Sequence, residues 1–148
     1  DIWELFQRIR VLMQYGCVGY VMRHEDYHQS PLENLYVQIA RWCNQQAFYK
    51  KMSFWEYAYR NQTFWEEQAG FDVLNKLKTF AEFEHDLQMG YYGQEDKRGK
   101  VRKISRPIQT VLDVLEMFPQ HRDELLEMFD YKLENLKDPS LWEEENNN

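Results

Sequence analysis

Ser53-Phe54-Trp55-Glu56-Tyr57-Ala58-Tyr59-Arg60-Asn61-Gln62-Thr63-Phe64-Trp65-Glu66-Glu67-Gln68 is the stretch on which the fold turns. Ser53 followed three residues later by Glu56 forms a capping box, in which each side chain satisfies the other's backbone N–H at a helix start. Thr63 with Glu66 repeats the same signature. The apolar residues between them do not show the strict alternation a half-buried strand needs. The stretch therefore predicts helix, either one interrupted near Thr63 or two short ones.

The flanking sequence follows the same period. Ser30-Pro31-Leu32-Glu33 is a further helix start, with a capping Ser, a Pro suited to the first turn and a Glu that completes the box. Its helix carries Leu32, Leu35, Tyr36, Ile39, Trp42, Cys43 and Ala47 on one face. Upstream, Ile2, Leu5, Phe6, Ile9, Leu12 and Met13 trace a stripe that Gly16 and Gly19 continue. Glycine inside a helix costs about 1 kcal/mol relative to Ala, which suggests close backbone approach or a break. Downstream of Gly70, a stripe of Val73, Leu74, Leu77, Phe80, Ala81 and Leu87 predicts a helix ending near Gly90. Residues 90–106 read as a loop. Pro107 opens a helix with Ile108, Val111, Leu112, Leu115 and Phe118. Pro119 breaks it and starts a last one with Leu125, Leu126, Phe129, Leu133 and Leu136, closed by Asp138-Pro139. The expected architecture is all-α: a single-domain bundle of five to seven amphipathic helices over residues 1–138, one long glycine-containing basic loop, and an acidic, polar tail over 139–148.

Composition agrees. The chain has 148 residues, 43% of them hydrophobic, with a net charge of −7. That length suits one core, and the apolar fraction argues against a wholly disordered chain. The apolar runs are too short to span a bilayer. Cys17 and Cys43 are too few for a disulfide framework and read as thiols in a reducing intracellular or organellar compartment, with a single bridge as the alternative. The chain opens on Asp1 with no visible targeting segment, which leaves a processed product, part of a longer protein or a trimmed chain as readings.

The chemically suggestive segment is Arg23-His24-Glu25-Asp26-Tyr27-His28. His24-Glu25-x-x-His28 resembles the zinc metallopeptidases called zincins over these five residues. That resemblance implies His24 and His28 as zinc ligands one helical turn apart, Glu25 as general base, and a third ligand from His85 or from a Glu such as Glu56. The pairs Glu25…His28 and Glu82…His85 resemble the Glu-x-x-His motifs of ferritin-like di-iron bundles, with Glu4 and Glu56 as the further carboxylates. Arg23-x-x-x-x-His28 is similar to the ribonuclease signature of the HEPN superfamily, which implies phosphodiester cleavage by Arg23 and His28 across a dimer cleft. Set against these is an ordinary solvated helix end, where His and Arg favour the dipole just before a Pro. His24 and His28 flank the apolar stripe rather than occupying its centre, and the solvated end is the reading carried forward.

A second feature is charge. Lys97, Arg98, Lys100, Arg102, Lys103 and Arg106 stand against Glu95 and Asp96, a local sum of +4 in an otherwise acidic chain. With Tyr91 and Tyr92 available to stack on bases, the segment is a candidate nucleic-acid contact, although the pI near 5.1 opposes it. A third feature is the load of 5 Trp, 10 Tyr and 9 Phe, spread around several faces. Tyr and Trp favour surfaces that meet partners. The function expected from sequence is therefore a non-catalytic helical interaction or assembly subunit, docking aromatic-rich faces onto partner proteins or further copies of itself, with no cofactor. The alternatives are a metal-dependent enzyme, either a zinc hydrolase or a di-iron carboxylate bundle, and a ribonuclease or nucleic-acid-binding helical domain.

Overall fold

The computed structural model describes residues 32–43, 45 and 51–132. The stripe over residues 2–28, the thiol of Cys17, the side chain of Cys43, the extension of the last helix through Leu133 and Leu136, and the tail lie outside the described residues. Those described are helical, with no strand among them. In chain order they are α1 (Glu33–Cys43), α2 (Phe54–Gln68), α3 (Phe80–Gln88), α4 (Arg106–Met117), a 3₁₀ turn (Pro119–His121) and α5 (Arg122–Phe129). No described helix is long and apolar enough to cross a membrane.

Ser53 caps α2, its hydroxyl accepting from the Glu56 N–H at 3.1 Å, but the reciprocal half of the expected box is absent and the Glu56 carboxylate pairs with Lys132 instead. The helix then runs unbroken through Thr63 to Gln68, so the second capping box does not cap. Pro107 and Pro119 both stand in the first turns of the elements they open.

The sequence expectation for residues 73–79 is corrected. They are not helical; α3 begins only at Phe80. Thr79 with Glu82 is a complete capping box, with bonds of 3.2 and 3.0 Å, and it sets the helix start inside the apolar stripe. Ahead of it the chain crosses α2 as a non-helical strap, residues 71–79, with bends at Leu74 and Lys76. Trp55 Nε1 donates to the Lys78 carbonyl at 2.8 Å and Thr63 Oγ1 to the Lys76 carbonyl at 3.1 Å. These bonds tie the segment to α2 at two points. Leu74 and Leu77, expected to face the core, are exposed.

The core lies where α4 packs against α1 and α2. Leu35, Ile39, Phe54, Ala58, Ile108, Val111, Leu125 and Phe129 are essentially inaccessible. Rings link it into one body: Trp42 meets Phe54 with centroids 5.9 Å apart, Phe54 meets Phe129 at 5.5 Å, and Phe83 joins Trp55 at 5.7 Å to Tyr92 at 5.1 Å. Phe83 is the one buried residue of α3 and so fastens that helix to the rest. Truncating it should leave a cavity: Phe83→Ala is expected to lower stability by about 3–5 kcal/mol in urea unfolding.

Candidate functional site

Tyr59, Gln62, Thr63 and Glu66 follow one another at i, i+3, i+4 and i+7 along α2, so they share a face. All four are buried. This is a stripe at core spacing made of polar side chains, and buried polar groups need partners. They find them in the two non-helical segments. Thr63 holds the strap through Lys76. Gln62 is satisfied at both ends of its amide: Nε2 donates to the Lys103 carbonyl at 2.8 Å, and Oε1 accepts from the Ser105 N–H at 2.6 Å. Glu66 accepts from Arg102 Nη1 at 2.9 Å, with side-chain exposures of 2% and 14%. The Arg102 guanidinium is stacked between two rings, 4.3 Å from the Tyr91 centroid and 4.7 Å from that of Phe71. Flat faces on both sides suit a planar delocalised cation better than an ammonium.

Residues 90–106 are thereby folded onto the protein rather than held away from it. Glu95 and Val101 form an isolated antiparallel bridge, and the Gly93 N–H donates to the Arg102 carbonyl at 2.9 Å. The turn is closed by Asp96, whose carboxylate accepts from the N–H groups of Arg98 and Lys100 at 2.8 and 2.9 Å. Gly99 supplies the positive φ of +80° the turn demands. Lys100 Nζ donates to the Ala69 carbonyl at 3.0 Å.

This placement changes the reading of the basic segment. Of the six cations, Lys100 and Arg102 are turned inward and bonded within the chain; Lys97, Arg98, Lys103 and Arg106 remain exposed. Tyr91 lies on the chain's own Arg102 yet stays 48% exposed, whereas Tyr92 is buried against Phe83, so of this expected stacking pair Tyr92 is not free for a base. The aromatic expectation is also revised. Tyr36, Trp42, Phe54, Trp55, Tyr57, Tyr59, Phe71, Phe83, Tyr92 and Phe129 are all sheltered, and of the described rings only Phe64 and Tyr91 are exposed. One small core does hide many rings, because they pack on one another in tilted and edge-to-face pairs.

Between strap and hairpin lies a cleft of about 420 Å³, walled by Phe71, Leu74, Tyr91, Lys100 and Arg102. Beneath the strap it adjoins a chamber of about 100 Å³ bounded by Tyr59, Glu66, Lys78, Tyr91 and Arg102. Burial pushes the Tyr59 phenol up, and raises Tyr92 far more strongly, with the neighbouring Tyr59 and Glu66 adding to it. Both stay protonated at neutral pH. No hydrogen bond of ordinary geometry satisfies the buried Tyr92 hydroxyl. Burial works against the Lys78 ammonium, but the Asp86 carboxylate 2.5 Å away outweighs it and holds the group above the usual lysine value. The chamber thus contains fixed charge: Glu66 paired with Arg102, Lys78 paired with Asp86, and Asp72.

The metal candidates are placed as follows. His24, Glu25, His28 and Glu4 lie outside the described residues. His85 is exposed on α3, Glu82 caps Thr79, and Glu56 pairs with Lys132 at 2.6 Å. Among the described residues no three His, Cys, Asp or Glu side chains converge as a metal site. Sequence reasoning missed the stripe of Gln62, Thr63 and Glu66; the available signal was polar residues at core spacing. No protein family, curated protein or solved structure matches the chain.

Two outcomes test this geometry. Arg102→Met, which leaves Glu66 buried and unpaired, should cost about 3–5 kcal/mol, and adding Glu66→Met should recover most of that loss in a denaturation cycle. The Lys100 N–H, helped by that of Arg98 and by the neighbouring cations, holds the Asp96 carboxyl below its usual value and outweighs the opposing effect of desolvation. Its contribution is therefore full above the ordinary aspartate range and lost as pH falls through the lower folded value. Asp96→Asn should abolish the acid titration of the Arg98 and Lys100 amide shifts.

Proposed function

We propose that this chain is a non-catalytic helical interaction or assembly subunit that docks partner proteins through the cleft between strap and hairpin. The five described helices are taken as part of a bundle of five to seven. The observation that carries the reading is Leu74: its side chain is 100% exposed on the cleft rim, beside Tyr91 at 48%. Phe64 and Leu77, at 63% and 50%, belong to the residues next to the Thr63–Lys76 bond that ties the strap to α2. Burying one such side chain against a partner is worth about 1.5–3 kcal/mol. Leu74 and Tyr91 line the cleft, Phe64 and Leu77 do not, and exposed apolar side chains on a cleft suit an interaction surface. The support has shifted from the number of rings to the few side chains the core leaves out.

The metal-enzyme alternative keeps its candidates His24, Glu25 and His28, and the nucleic-acid alternative keeps Lys97, Arg98, Lys103 and Arg106. Nothing in the strap and hairpin favours either one. The test uses the purified full chain. A partner isolated by affinity capture and reconstituted from pure components should bind at least about tenfold more weakly to Leu74→Asp, while stability changes by less than about 0.5 kcal/mol. The wild-type chain should also contain no stoichiometric metal by elemental analysis. Undiminished binding by Leu74→Asp would remove the cleft from the interface. Stoichiometric zinc or iron that is lost on His28→Ala would replace this reading with the enzymatic one.

A further inference from the structure

The described residues include five hydroxyl side chains of Ser or Thr: Ser53, Thr63, Thr79, Ser105 and Thr110. Four of them have a carboxylate three residues on. The pairs are Ser53 with Glu56, Thr63 with Glu66, Thr79 with Glu82 and Thr110 with Asp113. The fold separates these four. Ser53, Thr63 and Thr110 are buried, and their hydroxyls are bonded inside: to the Glu56 N–H, the Lys76 carbonyl and the Arg106 carbonyl. Thr79 is the only exposed Ser or Thr among the described residues, and Glu82 is exposed with it.

Thr79 stands where the strap meets α3. Residues 71–78 before it are non-helical, and Asp72, Leu74, Asn75, Lys76 and Leu77 are exposed, so the chain leading to Thr79 lies open. On the other side, α3 has Phe83 as its one buried residue. A short, mostly exposed helix opens locally at lower cost than a core helix. Presenting Thr79 in extended chain costs the capping box and the Trp55 bond to the Lys78 carbonyl, and leaves the packing of α4 on α1 and α2 in place. Carboxylates follow Thr79 at three, five and seven residues: Glu82, Glu84 and Asp86. Arg122 holds Glu84 and Lys78 holds Asp86. Glu82 is ionised at neutral pH, because the Thr79 N–H, and then the Thr79 hydroxyl, keep its carboxyl below the usual value.

We propose that Thr79 is the phosphoryl acceptor of an acidophilic Ser/Thr protein kinase that reads Glu82 three residues on. Kinases choose substrates by the charge pattern around the acceptor, and a basic subsite pairs with a carboxylate at a fixed offset. In the transfer, Thr79 Oγ1 forms the new bond to the γ-phosphorus of ATP and the bond from that phosphorus to the β–γ bridging oxygen breaks. The hydroxyl proton passes to the kinase's catalytic Asp, and ADP leaves. Lys76, three residues before Thr79, offers a basic determinant instead, but its ammonium lies 3.5 Å from Glu67 and it faces three carboxylates downstream. The added phosphate brings about −1.5 to −2 charges against the Glu82 carboxylate, so the box opens. The phosphate then takes over the start of α3, where a helix favours an anion. No part of this rests on Leu74 or the cleft, so the two proposals can fail separately.

The experiment is phosphorylation of the purified full chain by an acidophilic kinase, casein kinase 2, with ATP and Mg²⁺, the site mapped by peptide mass spectrometry. Ser30 and Ser140 also precede acids by three residues and lie outside the described residues, so the readout is phosphate on Thr79 itself. Thr79→Asn keeps a capping oxygen and should lose this phosphate entirely. Glu82→Gln keeps the box but removes the charge, and should slow modification of Thr79 at least about tenfold. Lys76→Gln should leave the rate within about twofold. In the phosphorylated chain the Glu82 carboxyl, having lost the Thr79 N–H and facing a phosphate, should titrate higher than before by NMR. Circular dichroism of each variant controls for folding. A wild-type chain left unmodified at Thr79 overturns the proposal. So does modification that ignores Glu82→Gln, dependence on Lys76 in its place, or a Glu82 titration that does not rise.

Discussion

A carboxylate that is 98% hidden from water has to be answered, and the answer to Glu66 organises half of this protein. Removing an ionised group from water costs several kcal/mol unless a partner and further hydrogen bonds replace what was lost. Arg102 is that partner, and the rings of Phe71 and Tyr91 fix its plane. Phe71 belongs to the strap, Tyr91 and Arg102 to the hairpin, and Glu66 to α2. One ion pair therefore sets the relative position of three segments that have no regular secondary structure in common. Gln62, bonded to the hairpin base through both amide atoms, fixes the register in which they meet.

The surface follows from that constraint. Thr63 and Trp55 hold the strap to α2 through the carbonyls of Lys76 and Lys78, and its Leu74 and Leu77 are exposed. Leu74 turns out at the rim of the cleft, while the rings that looked too many to shelter pack on one another. The cleft is thus a product of polar bonds beneath it, and its apolar rim is what a partner would see. The same bonds draw Lys100 and Arg102 inward.

Helix starts were legible where a capping residue and its Glu stand alone. Ser53 and Pro107 behave as their chemistry predicts. Thr63-x-x-Glu66 shows how the same spacing misleads: three residues apart also means one face, and inside a continuing helix that face serves tertiary contacts. Thr79-x-x-Glu82 was equally legible and was overridden by an apolar stripe that began too early. The hairpin, with Asp96 and Gly99 shaping its turn, carries local signals strong enough to read as a turn, but nothing in it announces a target for Arg102. Of the candidate metal ligands only His85 among the histidines falls on the described residues, and there it is simply exposed on α3.

The sequence by itself determined the helical character, the main helix starts and the excess of aromatic side chains, because caps and the 3.6-residue period act within one or two turns. Tertiary structure alone decided which polar residues are buried, which cations are spent internally and which leucine faces outward. Those outcomes depend on Glu66 meeting Arg102 and Thr63 meeting Lys76, and a contact between distant segments leaves no mark on the local pattern of either.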